Sequence, residues 1–259
     1  TIFNVVVTFL LLPFSKLLEK LAYLVIKQLP EETQKEQLIL PGEILLNTPA
    51  VAIEACRTSV NDMARLAEDT ILKALSLHDN YSECVAHAVS KQEKLLDQYE
   101  DKLNAYIVRI SKHSIASSDN RTLSKMLHGI GNFERIGDHA SDISEITIAL
   151  ADQPYIKKLE HIQQMAKETM IMLVGSIEAF VDKDLEKANE VIKRDDVVDD
   201  LFDKVKKELI QMIHENADKG EQAADLLMVA KYMERIGDHA TNISEWVIFS
   251  ITGEHKSMN

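Results

Sequence analysis

The chain has 259 residues, enough for one large domain or two small ones. Its five prolines and eight glycines favour long helices over a turn-rich sheet protein. A formal net charge of -13 argues against non-specific nucleic-acid binding, which needs a basic surface, and points to cations or plain solubility. Cys56 and Cys84 have neither CxxC spacing nor histidines set for zinc, and read as buried thiols of a reducing compartment; a disulfide is the weaker alternative.

Residues 1–14, TIFNVVVTFLLLPF, carry no charge, and apolar character resumes from Leu17 to Leu29 around Lys16, Glu19 and Lys20. The run is shorter than the roughly twenty residues that span a bilayer. No basic n-region or small-residue cleavage site marks a signal peptide. Residues 1–29 read best as the end of a transmembrane or membrane-associated helix, with Lys16, Lys20 and Lys27 suited to a cytoplasmic exit. A surface amphipathic helix and a buried or oligomer-forming helix stay open. Residues 30–47 hold Pro30, Pro41 and Gly42 among charged residues and read as a linker.

Thr48 and Pro49 then suit an N-cap and first helical position. Apolar spacing carries a helix to about Leu77, with Val60, Met63, Ala64, Ala67, Ile71 and Leu75 on one stripe. Further helices are expected from about Ser82 to Ile110 and from Arg121 to Leu150, after a turn at Ser117–Asn120. Asp152, Gln153 and Pro154 separate a second half, with helices expected over Tyr155–Phe180, Leu185–Asn216 and Glu221–Ile251. Asp182 and Asp184 suit caps, and Asp218–Gly220 a turn. The fold class is all-α: a hydrophobic N-terminal helix before two tandem three-helix bundles, residues 48–152 and 153–252, with a polar tail over 253–259.

The two bundles are copies. Residues 134–145 read ERIGDHASDISE and residues 234–245 read ERIGDHATNISE. Upstream, at an offset of 102, Glu93 and Asp97 align with Asp195 and Asp199, and Met63 and Ala64 with Met165 and Ala166. Such self-similarity marks an internal repeat.

Successive helical side chains step by about 100 degrees. Glu134, Asp138, Asp142 and Glu145 therefore share a quadrant opposite Ile136, Ala140 and Ile143, and Glu234, Asp238, Asn242 and Glu245 repeat the pattern. Glu93, Asp97 and Asp101 form a stripe opposite Leu95 and Tyr99; Asp195, Asp199 and Asp203 form its equivalent opposite Val197 and Leu201. Most charge-rich helix faces are simply solvated. Like charges at i, i+4 nevertheless cost a few tenths of a kcal/mol per pair, and a bridging cation would remove that cost. Oxygen-only ligands suit magnesium, calcium, manganese or iron, whereas zinc usually recruits histidine or cysteine. His139 and His239 lie well around the helix from Glu134 and Glu234 and read as packing partners or outer donors. Arg135 and Arg235 read as partners of carboxylates on a neighbouring helix, Gly131, Gly137 and Gly237 as points of close helix approach, and Trp246 as filler of a bundle end.

The tandem ERIGDHA motifs, each preceded by an acidic E/D-x-x-x-D stretch, resemble the PhoU family of phosphate-signalling proteins over roughly residues 50–251. The resemblance implies multinuclear metal sites. Matched motif by motif, their ligands are Glu93, Asp97, Glu134 and Asp138 in one bundle and Asp195, Asp199, Glu234 and Asp238 in the other. Divalent or trivalent ions (iron, manganese, magnesium or zinc) are the implied cofactors. The apolar N-terminal stretch also looks like the end of a bacterial sodium/phosphate cotransporter, in which a PhoU-like domain follows the last membrane helix.

That second resemblance implies a non-catalytic regulatory domain attached to a sodium-dependent phosphate transporter. Its partner would be the membrane domain, with inorganic phosphate and sodium as transported ions, a homodimer as an open option, and no nucleic acid. The implied location is the cell inner membrane, with the chain cytoplasmic from about residue 30. The alternative is a stand-alone PhoU-like adaptor acting on a phosphate transporter and a sensor kinase. A di-iron carboxylate oxidase fits worse, because the chain has no Glu-x-x-His pair and its acidic stripes lie away from the apolar ones.

Overall fold

Long apolar stripes and few helix breakers produce a helical chain. The computed structural model describes residues 40–79, 81–113, 115–150 and 160–254, and no strand occurs among them. The apolar segment over 1–29 lies outside the described residues, as does the connector up to residue 39.

A 3-10 turn, Glu43–Asn47, leads into α1 (Pro49–Asp79). Proline suits the first helical position because its missing N–H would have no partner there. The Thr48 hydroxyl donates back to the Leu45 carbonyl at 3.1 Å, so the expected N-cap residue turns towards the preceding turn. Tyr106 Oη donates to the Gly42 carbonyl at 3.2 Å and Arg109 pairs with Glu43 at 2.7 Å, docking this lead-in on the first bundle.

Next come α2 (Glu83–Ile110) and α3 (Ser117–Leu150). The third helix begins at Ser117, four residues before the expected start. The second bundle is α4 (Glu160–Asp182), α5 (Leu185–Ile192), α6 (Asp195–Glu215) and α7 (Gly220–Thr252). Asp184 caps α5 as expected, its carboxylate accepting from the N–H groups of Glu186 and Lys187 at 2.9 and 3.0 Å. The continuous helix expected over Leu185–Asn216 is broken at Lys193 and Arg194. There Arg194 turns aside to pair with Glu168 of α4 at 2.9 Å, and its carbonyl starts α6 by accepting from Val197 and Val198.

Each bundle buries the stripes that face its partners: Cys56, Val60, Met63, Leu96, Leu103 and Ile136 in the first, Met165, Leu173, Val205 and Ile236 in the second. Cys84, expected to be buried, is exposed, and both cysteines are free thiols.

The bundles join where α3 packs along α7. Paired positions run in opposite senses, so the two helices are antiparallel. His128 stacks flat on Trp246 with centroids 3.5 Å apart, and the rings of His139 and His239 lie 5.6 Å apart. His239 Nδ1 and Asn132 Oδ1 are 2.9 Å apart, which fits an Nδ1–H donating to the amide oxygen. Trp246 thus ties the two repeats together. At another point of the junction the end of α4 is clasped on α3. The buried Lys125 ammonium donates to the Phe180 carbonyl at 2.8 Å and lies 4.1 Å from the Phe180 ring centroid. That ring meets Phe133 edge-on, with centroids 5.3 Å apart.

Two equivalent glycines behave differently. A Cβ on Gly137 would come within 2.4 Å of Leu96 Cδ1 on α2, whereas one on Gly237 would meet Val198 and Met172 at 3.5 Å or more. Alanine is the better helix former by about 1 kcal/mol, but overpacking costs about 1–3 kcal/mol. Gly237→Ala is therefore expected to stabilise by up to about 1 kcal/mol and Gly137→Ala to destabilise by a similar amount. Urea unfolding of both variants checks this, and equal shifts of one sign would contradict it.

Candidate metal centre

The close approach at Gly137 brings the acidic flanks of α2 and α3 together. Carboxylate oxygens of Glu93, Asp97 and Asp138 lie within 4.8 Å of one another. Two oxygens ligating one hard cation at about 2.0–2.6 Å are at most about 4–5 Å apart, so this donor set fits such an ion. Glu134, one turn before Asp138, interacts with it electrostatically.

The electrostatics are those of crowded negative charge. Burial, then Asp138 and Glu100, push the Glu134 carboxyl up to about 7. Burial and Asp97 raise Asp138, and burial, Asp97 and Asp138 raise Glu93. Without a cation, such a cluster lowers its energy by keeping protons.

The second cluster gathers Asp195 and Asp199 of α6 with Glu234 and Asp238 of α7. Burial, then Glu234, Asp195 and Asp199, push Asp238 up to about 6. Burial also raises Asp195, whose Oδ1 accepts from Thr241 Oγ1 at 3.2 Å, and Asp199. Lys231 pairs with Glu234. Among the described residues, three carboxylates converge within 4.8 Å only in the first cluster.

Three expectations change. Glu100 takes the place assigned to Asp101: burial and the neighbouring carboxylates Asp101, Asp97 and Asp138 raise its carboxyl, while Asp101 is exposed. The signal was present, because seven residues on from Glu93 deviates by only about 20 degrees and eight by about 80. Val197, expected on the core side of α6, is 43% exposed, and Val198 is buried instead. The acidic stripe lies about a third of a turn from the core, on the flank facing α7, which rotates Val197 outward. Asp142 leaves the acidic quadrant for the α3–α7 junction, where its charge acts on Tyr232 and it lies 3.6 Å from His139 Nδ1.

His139 and His239 occupy that junction, where burial lowers both, His239 to about 4. Arg135 and Arg235 are exposed, and the charge of Arg135 acts on Glu100 of the neighbouring helix. Gly131 faces only Glu100 Oε1, at 4.0 Å, and is not required for packing.

Fold and site together define a tandem-repeat helical protein with one carboxylate cluster in each bundle. The PhoU domain matches it twice, at residues 60–147 and 162–247. A phosphate-specific transport system accessory protein PhoU homolog of Clostridium acetobutylicum is 30% identical over 209 residues, 80% of this chain and 95% of that relative. PhoU homolog 2 of Thermotoga maritima is 32% identical over 176 residues, 67% of this chain and 74% of its own. The crystal structure of PhoU from Pseudomonas aeruginosa superposes with a TM-score of 0.74 at 25% identity, covering 79% of this chain and 99% of its own. A Streptococcus pneumoniae PhoU structure, 21% identical, has the same fold with the same TM-score over 81% of this chain and 100% of its own. The chain belongs to the PhoU domain family.

The inner-membrane location expected from the cotransporter resemblance is overturned. No helix among the described residues is long and apolar enough to cross a membrane. The two relatives are named as transport-system accessory proteins, and this PhoU-like region covers 95% of one and 74% of the other.

Proposed function

We propose that this chain is a non-catalytic regulatory accessory protein of a phosphate transport system, acting on the transporter and a sensor kinase. The observation that supports this is the pair of PhoU domains, shared over most of their length with relatives named as phosphate-specific transport system accessory proteins. This reading replaces that of a domain fused to a sodium-coupled carrier.

Glu93, Asp97, Glu134 and Asp138 would hold a hard metal ion, with Glu100 beside them. A metal bound there supplies positive charge on a face that otherwise repels phosphate and acidic partner groups. The chain's own part is positional. Gly137 sets the helix spacing, and the i, i+4 placement of Glu93 with Asp97 and of Glu134 with Asp138 stacks the carboxylates one turn apart.

Phosphate uptake tests this in cells deleted for the chain and complemented with wild type or with Glu134→Ala/Asp138→Ala. Deletion is expected to change uptake, wild type to restore it, and the double variant to fail although it accumulates as folded protein. Uptake unchanged by deletion would contradict the accessory role, and full rescue by the double variant would contradict the role of the acidic face.

A further inference from the structure

The second carboxylate cluster contains a cation of its own. Lys231 of α7 pairs with Glu234, and its charge acts on Asp199 and Asp238 as well. Its ammonium lies 5.4 Å from the centroid of the Phe202 ring on α6, so it sits between the two helices that supply the carboxylates.

The first cluster differs at both of these positions. The repeat offsets set Gly131 where Lys231 stands and Glu100 where Phe202 stands. A Cβ on Gly131 would meet nothing nearer than Glu100 Oε1 at 4.0 Å, so that approach to the first cluster is open. At these two positions one cluster has an extra carboxylate and the other a lysine and an aromatic ring. One residue beyond Glu93 and Asp195 the contrast reverses, with the charge of Lys94 acting on Glu93 and that of Asp196 on Asp195 and Asp199. Among the described residues, however, only Lys231 forms an ion pair with a cluster carboxylate.

Resting on the metal reading above, we propose that Lys231 is the resident counter-ion of the second cluster, so that tight divalent-metal binding is confined to the cluster of α2 and α3. An ion entering the second cluster must displace the ammonium from Glu234 or accept its repulsion at close range. In the first cluster an incoming ion meets converging carboxylates and the added charge of Glu100. The repeat therefore encodes two sites of similar backbone and different cation: a metal in one bundle, a lysine in the other.

Manganese(II) titration of the full chain after chelator treatment tests this by calorimetry, with circular dichroism confirming the fold of each variant. Wild type is expected to show tight binding that Asp138→Asn abolishes and Asp238→Asn leaves intact. Lys231→Met keeps the stem against Phe202, removes the charge, and is expected to tighten the second cluster by about tenfold or more. Gly131→Lys, the reciprocal change, is expected to weaken the first by about as much. Two equal sites in wild type, unmoved by Lys231→Met, would overturn this inference and leave the metal reading standing. Absence of manganese from every variant would overturn both.

Discussion

Phe180→Ala is expected to lower stability by about 3–5 kcal/mol, the range for removing a buried aromatic ring. Phe180 is 1% exposed and belongs to α4, yet its contacts lie on α3: the edge of Phe133, the Lys125 ammonium over its face, and the bare Cα of Gly129. Truncation therefore opens a cavity where the bundles meet and takes the ring from beneath a buried charge. A second substitution shows that the ring itself sets the local spacing. A Cβ on Gly129 would lie 2.6 Å from Phe180 Cε2, so Gly129→Ala destabilises the wild type. In the Phe180→Ala background the obstruction is gone, and the same change recovers up to about 1 kcal/mol through helix propensity. Urea unfolding of the four proteins measures the cycle. Additive losses would contradict the contact.

Glu134→Gln is expected to stabilise the metal-free protein at pH 8 by about 1–2 kcal/mol and to do much less at pH 5. The sign follows from the direction of the shift. Burial and neighbouring carboxylates push Glu134 up to about 7, above its ordinary range, so the folded state holds this proton more tightly than the unfolded chain. Its contribution is complete below the ordinary carboxylate range and is lost as pH rises through about 7. Glutamine removes the charge that causes the loss. Partial solvent exposure scales the full linkage value down to the range given. Asp238, raised to about 6, adds a loss of the same sign at lower pH. His239 acts oppositely, because burial holds it down to about 4 and its contribution grows as pH rises from there towards its ordinary range. Comparing variant with wild type at each pH cancels both terms. Adding manganese should invert the order, since glutamine gives up a carboxylate oxygen that the ion would use. Equal gains at pH 5 and pH 8 in the metal-free protein would contradict the charge-crowding argument.

The fold was readable because duplication repeats its signals. Both ERIGDHA segments carry the same apolar spacing, and scarce glycine and proline leave helices as the one regular structure that fits. The break between α5 and α6 was not readable. Neither glycine nor proline marks Lys193 and Arg194, and the partner that draws Arg194 aside, Glu168, lies on another helix. The antiparallel packing of α3 on α7 was also hidden, because helical periodicity shows which face is apolar and not which helix covers it.

Within the site, the E/D-x-x-x-D spacing gave the residues that meet. The structure brings Glu93, Asp97 and Asp138 together and sets Glu134 against Asp138. Glu100 was missed by counting eight residues where seven lie closer to the same line. Asp142 and Val197 were misplaced for a related reason. Each sits at the edge of its arc, where a neighbouring helix decides which way the side chain faces.

The most direct test of the metal-centred reading is element-resolved analysis of the purified chain beside Glu134→Ala/Asp138→Ala. Bound iron, manganese or another divalent ion in at least stoichiometric amount, lost in large part from the double variant, is the expected result. An absence of metal from wild type, with none taken up on reconstitution, would contradict it and return the acidic flanks to solvated or partner-binding faces.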